Sequence, residues 1–211
     1  MARTERAAFL AKVRDAVAAG ARGDPTDGRP QESAGSSPAP RDLAETFTRE
    51  AQAADCEVLR VASIREARDA IQALLDELGA SRVVRGDTEL LRALDLATDE
   101  AVVAAEADAG LTEADFGIAE SGTLALLHRP GQARGISLLP LVHVAILRAS
   151  DLVPDLGALF RKLESDDRHP ASTLTFITGP SRTGDIEFVL TKGIHGPGEV
   201  HIVLLEDRES P

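Results

Sequence analysis

Three stretches, GTLALL (122–127), LVHVAIL (141–147) and VHIVLL (200–205), are apolar at nearly every position instead of alternating with polar residues. Strands buried on both faces read this way, whereas a strand with one wet face alternates with period two. A chain carrying such strands must cover both faces of a sheet, and the segments between them supply the cover. The clearest runs from about 64 to 78: Ser63 and Glu66 form a capping box, Ala67, Ala70, Ile71, Leu74, Leu75 and Leu78 make an apolar stripe, and Gly79 supplies a left-handed stop. EVLRV (57–61) precedes it and SRVV (81–84) follows it, which makes a βαβ unit with a right-handed crossover. Further along, Asp87 is expected to cap a short helix (88–95), AVVAA (101–105) reads as a strand and 151–164 as a helix. TLTFI (173–177) reads as a strand and 185–191 as a short helix. The fold class is therefore α/β, a mostly parallel sheet flanked by helices.

Residues 23–41, GDPTDGRPQESAGSSPAPR, hold almost no large apolar side chain and read as a flexible linker. The linker sets off an N-terminal helical arm, residues 1–22, with Phe9, Leu10, Val13 and Val17 on one face, from an α/β domain at 42–207. Such an arm is too short to be stable alone and is expected to dock on its own domain, on a second copy or on another protein. A homo-oligomer is thus one option.

The 211 residues carry a formal net charge of −12, no Trp, no Tyr and six Phe. That field repels nucleic acid, and stacking platforms for bases are scarce, so nucleic acid is not expected as a partner. The single cysteine, Cys56, allows no internal disulfide and cannot hold an iron-sulfur cluster. The longest apolar run, 136–147, is interrupted by Pro140 and His143 and is too short to span a bilayer, so cytoplasmic residence is expected. The five histidines show no metal-ligand spacing, and no metal site is expected.

The segment GPSRTGDI (179–186) begins like a phosphate-cradling loop, with Gly179 and Gly184 spaced as G-x-x-x-x-G, yet has Asp185 and Ile186 where Lys and Ser/Thr belong. It starts where TLTFI ends, and ligands of open α/β sheets bind beyond the carboxyl ends of strands. Asp185 and Glu187 lie in the first turn of the expected helix and can themselves satisfy its positive end. Arg182 is shaped for a carboxylate or phosphate, with an internal pair to Asp185 as the alternative. Ser181 reads as a turn hydroxyl or helix cap rather than a nucleophile, because the spacing exceeds G-x-S-x-G by one residue. The loop GIHGPG (193–198) holds His195 between glycines, on a turn expected beside a strand that neighbours TLTFI. GIAESGT (117–123) places Glu120, Ser121 and Thr123 around Gly122, either as a simple turn or as the rim of a pocket.

Together, AESGTLAL (119–126), SLLPLVHVAIL (137–147) and TGPSRTGDIE (178–187) followed by GIHGPGEVHIVLL (193–205) resemble the lactate utilisation protein C family, whose shared unit is called the LUD domain. The resemblance covers about residues 42–206, and Ser121 replaces the Thr more usual in the family's TGT turn. It implies a fold like that of the ribose-5-phosphate isomerase and CoA-transferase group. It also implies a non-redox role in oxidising L-lactate to pyruvate, with the iron-sulfur clusters on two partner subunits and no cofactor on this chain. The alternative is a stand-alone enzyme of that fold acting on a phosphorylated or CoA-linked small molecule. Catalytic candidates are Glu120 and His195. Ligand-binding candidates, for a small anion, are Gly122, Thr123, Gly179, Ser181, Arg182, Thr183, Asp185, Glu187 and Gly196.

Overall fold

The computed structural model describes residues 40–98, 103–129, 132–165, 173–183, 191–192 and 195–206. The arm and nearly all of the expected linker lie outside the described residues. Pro40, inside the stretch read as linker, opens the first helix, α1 (Pro40–Ala53), at the helix start, where a missing N–H costs nothing. The helix ends in a Schellman motif: Cys56 N–H donates to Ala51 O, Asp55 N–H donates to Gln52 O, and Asp55 takes φ 66. Asp is one of the few residues that tolerates this left-handed position.

The main sheet contains five parallel strands in the order β1 (Glu57–Val61), β11 (Glu199–Leu205), β6 (Val142–Arg148), β3 (Ala109–Glu113), β2 (Val83–Arg85). Helix α2 (Ile64–Glu77) connects β1 to β2, which lie on opposite edges of this sheet. Ser63 caps it as read, with Glu66 N–H donating to Ser63 Oγ at 3.2 Å, while the Glu66 carboxylate reaches one residue further and accepts from Ala62 N–H at 2.9 Å. Helix α3 (Glu89–Ala93) is capped by Thr88, not by Asp87. Asp87 is drawn instead into an ion pair with Arg92.

A second sheet of four strands has the order β7 (Leu152–Val153), β4 (Phe116–Ile118), β5 (Thr123–His128), β8 (Thr173–Ile177). Here β5 runs antiparallel to both β4 and β8. A two-stranded antiparallel ribbon, β9 (Arg182–Thr183) with β10 (Thr191–Lys192), completes the described strands. TLTFI is thus paired with β5 in the second sheet, whereas the strand after GIHGPG is β11, held between β1 and β6. The expected neighbourhood of those two strands does not exist.

The period-two alternation of the central strands sorts the core into layers. Val144 and Ile146 of β6 and Val203 and Leu205 of β11 pack with Ile71 and Leu75 of α2 and with Leu90, Leu91 and Leu94 of α3 and its C-terminal end. The opposite face, with Ala145, Leu147, Ile202 and Leu204, packs against Phe47 of α1 and Leu124 and Leu126 of β5. The far face of the second sheet, with Phe116, Ile118 and Leu127, is covered by Leu159 and Leu163 of α5 (Leu156–Ser165). Strands β6 and β11 read as continuous apolar runs because one face meets helices and the other meets a helix and a second sheet.

Other elements fall where local chemistry outweighs pattern. The expected 151–164 helix starts only at Leu156, because Asp155 Oδ1 accepts the Ala158 N–H at 2.7 Å as an N-cap while Leu152 and Val153 pair with β4. Of the strand expected at 101–105, residues 101 and 102 lie outside the described residues and 104–105 belong to a 3-10 turn at 104–106, while the strand β3 follows at Ala109–Glu113. Gly110 is needed within β3: a Cβ there would stand 1.9 Å from Ile136 O in α4 (Gly135–Leu138). The helix expected at 185–191 lies outside the described residues except for Thr191, which belongs to β10.

His143 of β6 is fully buried and shares a 2.8 Å hydrogen bond with Thr112 Oγ1 of β3. Burial, and then the charge of His201, lower its pKa from 6.5 to about 4. The unfolded chain therefore binds more protons between those two values, and stability falls as pH drops through that window. The full effect is on the order of 3 kcal/mol. In His143→Gln, urea midpoints measured at neutral pH and near pH 4 should differ by less than they do in the unchanged protein.

Candidate functional site

The two halves of the sequence signature form one knot. Ser181 N–H donates to Pro197 O at 2.8 Å, and a Cβ on Gly196 would meet Ser181 Cβ at 3.3 Å. Gly198 N–H donates to Leu141 O at 2.9 Å, tying the knot to the start of β6. Pro197 and Gly198 lead into β11, and Cys56 leads into β1, so the knot lies at the amino ends of the parallel strands. The carboxyl end of β8, which suggested a strand mouth, belongs to the second sheet, where β8 pairs antiparallel with β5.

Two of the candidate glycines are explained by the close approach of α1. Gly122 has φ +62, and a Cβ there would stand 2.1 Å from Ala51 N; Gly179 has φ +83, and a Cβ there would stand 2.1 Å from Ala54 O. Both turns press on the last turn of one helix. Hydroxyls join them: Ser121 Oγ lies 2.7 Å from Thr123 Oγ1, which lies 2.7 Å from Thr178 Oγ1. Thr123 is buried and spends its hydroxyl in this chain.

The charged candidates are also engaged. Arg182 Nη2 forms an ion pair with Asp55, the residue that ends α1, with both side chains nearly half exposed. Glu120 Oε1 accepts the Leu156 N–H at 3.2 Å, closing the first turn of α5. His195 is exposed, and Gly196 beside it is half-buried. Thr183 contributes its backbone to the β9–β10 ribbon, while Asp185 and Glu187 lie outside the described residues. Burial pushes the Cys56 thiol up to about 11, a shift opposed only in part by a hydrogen bond from the Gly179 backbone. A thiol in that state is a poor nucleophile.

The structure therefore brings Gly122, Thr123, Gly179, Ser181, Arg182 and Gly196 to one region around the end of α1, and places Glu120 at the cap of α5. Asp55 and Thr178 are the partners that sequence reasoning missed. Asp55 precedes β1 far from the signature in sequence, and no spacing rule links it to Arg182. Among the described residues no group of three His, Cys, Asp or Glu side chains is arranged to hold a metal ion. No described helix is long and apolar enough to cross a membrane.

Parallel strands layered on a second, mixed sheet, with a glycine-turn knot gripping a helix end, define an α/β protein in which the signature organises the junction between layers. The profile of the LUD domain matches residues 100–205. A protein named lactate utilization protein C from Exiguobacterium sp. is 32% identical over 195 residues, covering 85% of this chain and 84% of that protein. A protein of the same name from Halalkalibacterium halodurans is 44% identical over 109 residues, which span 50% of this chain and only 47% of that protein. This chain belongs to the LUD domain family, among relatives named lactate utilization protein C. A DUF162 family protein from Deinococcus radiodurans has the same fold, with a TM-score of 0.62 at 23% identity over 80% of this chain and 99% of that one.

Gly122→Ala and Gly179→Ala should each lose roughly 1–2 kcal/mol from the left-handed backbone alone, with further loss as α1 is displaced. Arg182→Ala removes a half-exposed pair and should lose less than about 1 kcal/mol. Urea unfolding of the three variants gives the ranking, and Arg182→Ala proving the most damaging would contradict this account of the knot.

Proposed function

We propose that this chain is a non-redox component of a system that oxidises L-lactate to pyruvate, working with iron-sulfur subunits that carry the electrons. The observation that carries this reading is the similarity to lactate utilization protein C along 84% of the length of one relative. The chemistry of the chain is consistent with it. A single buried cysteine supplies too few thiolates for a cluster of its own, which supports placing the clusters on partners.

Within this reading, the signature knot is a rigid docking face for a partner or for a small anion. His195 and Arg182 are its exposed groups, and the turns beneath them are braced by α1. Ser181, Thr183 and Gly196 belong to that proposed face. A stand-alone enzyme acting on a phosphorylated or CoA-linked molecule gains no support from Glu120, whose carboxylate is occupied at the cap of α5. Residence in the cytoplasm follows from the proposed role.

Deleting the gene should abolish growth on L-lactate and leave growth on pyruvate intact. Complementation with Arg182→Ala or His195→Ala, each first checked for normal urea unfolding, should restore growth poorly. Full growth with both variants would leave the knot with a purely architectural role.

A further inference from the structure

An open sheet ends in strands whose outer N–H and C=O groups are unpaired, and proteins blunt such edges with short strands, charged side chains or proline. Of the four edge strands of the two larger sheets, three are blunted in this way. β2 has three residues and includes Arg85, β7 has two residues, and β1 carries Glu57 and Arg60. The fourth, β8, has five residues, TLTFI, with no charge, no proline and no glycine. Among the described residues its backbone pairs with β5 alone, in the register that runs from Leu124 opposite Ile177 to His128 opposite Thr173.

The side chains of β8 divide by period two. Ile177 packs into the layer between the two sheets, and Thr175 Oγ1 shares a 2.8 Å hydrogen bond with His128 Nε2, so Thr173, Thr175 and Ile177 face inward. Leu174 packs with Phe116 and Leu127 on the far face, and Phe176 stands on that same face, opposite Ala125. Ala125 is fully buried, yet Phe176 is 43% exposed. A ring left nearly half in water on an uncharged edge is apolar surface that one further strand would cover.

The strand's own sequence decides what fits beside it. A two-fold axis normal to the sheet joins two copies of β8 antiparallel and keeps like faces together, so residues of equal parity meet. With Thr175 on the axis, every residue of the strand finds a partner: Leu174 stands opposite Phe176 of the second copy, Phe176 opposite its Leu174, and Thr173 opposite its Ile177. Aromatic, aliphatic and β-branched pairs are the ones that stabilise cross-strand contacts. Each chain carries a net charge of −12, and this contact sets no charged side chain of one β8 against another. Antiparallel joining also sends the turns at Gly179 to opposite ends of the paired strands, which keeps the two signature knots apart.

We propose that β8 is a self-association edge: two copies of this chain join β8 to β8, antiparallel and centred on Thr175, so that their two four-stranded sheets become one continuous sheet. A contact of five residue pairs is small, and the association is correspondingly weak, in the micromolar range. The inference does not depend on the proposed role in lactate oxidation.

Sedimentation equilibrium of the full chain over a concentration series should show monomer and dimer in exchange. Phe176→Lys should weaken the association at least about tenfold by placing a charge on the edge. Leu141→Lys, which changes a 68% exposed leucine at the amino end of the main sheet, should leave it unaltered. Under mild oxidation Thr175→Cys should give a covalent dimer, because the substituted position meets itself across the axis, whereas the unchanged chain, whose single cysteine is buried, should give none. Urea unfolding checks that each variant is folded, and the cross-link decides the matter independently if Phe176→Lys is not. A monomer at every concentration, a dimer dispersed by Leu141→Lys and not by Phe176→Lys, or a folded Thr175→Cys chain that yields no cross-link would overturn the inference.

Discussion

The contact on which the architecture depends is backbone against backbone. The last turn of α1 lies so close to the turns at Gly122 and Gly179 that no side chain fits between them. That helix covers the main sheet through Phe47, and the two turns belong to the ends of β5 and β8, so the approach fixes the distance between the two sheets. The Schellman end at Asp55 and the Arg182–Asp55 pair follow from the same junction. The hydroxyl chain through Thr123 then locks one turn to the other. A glycine requirement that looks like ligand access in sequence is met here by the protein's own helix.

Much of the architecture is legible from pattern. EVLRV, VHVAIL, VHIVLL and TLTFI each became strands, and the helix from Ser63 to Gly79 has the caps that its residues announce. These elements share local signals, namely runs rich in apolar and β-branched residues or a capping residue before an apolar stripe. The second sheet was hidden because an antiparallel strand buried on both faces has the same composition as a parallel one. GTLALL gives no sign of which sheet it enters; that is decided by Asp115, whose carboxylate accepts the Leu127 N–H at 2.7 Å, and by the tight turn at Gly122.

The candidate site was legible in part for a related reason. The signature residues do come together, since Ser181 meets Pro197 across the knot. Their partners could not be read, because Arg182 finds Asp55 through the fold and not through spacing. The strand-mouth argument was sound for a parallel strand and lost its footing once β8 proved antiparallel to β5.

Strand order also governs how the chain can be assembled. β11 is the last described strand in sequence, yet it occupies an interior position between β1 and β6, pairing Glu57 with His201 and Val142 with Glu199. A nascent chain must therefore carry two unsatisfied strand edges until residues 199–205 emerge. Non-local pairing of this kind slows folding and exposes edges to unwanted partners during synthesis. The strand that follows the signature is thus the keystone of the sheet, and truncation before Glu199 removes a central beam instead of a fringe.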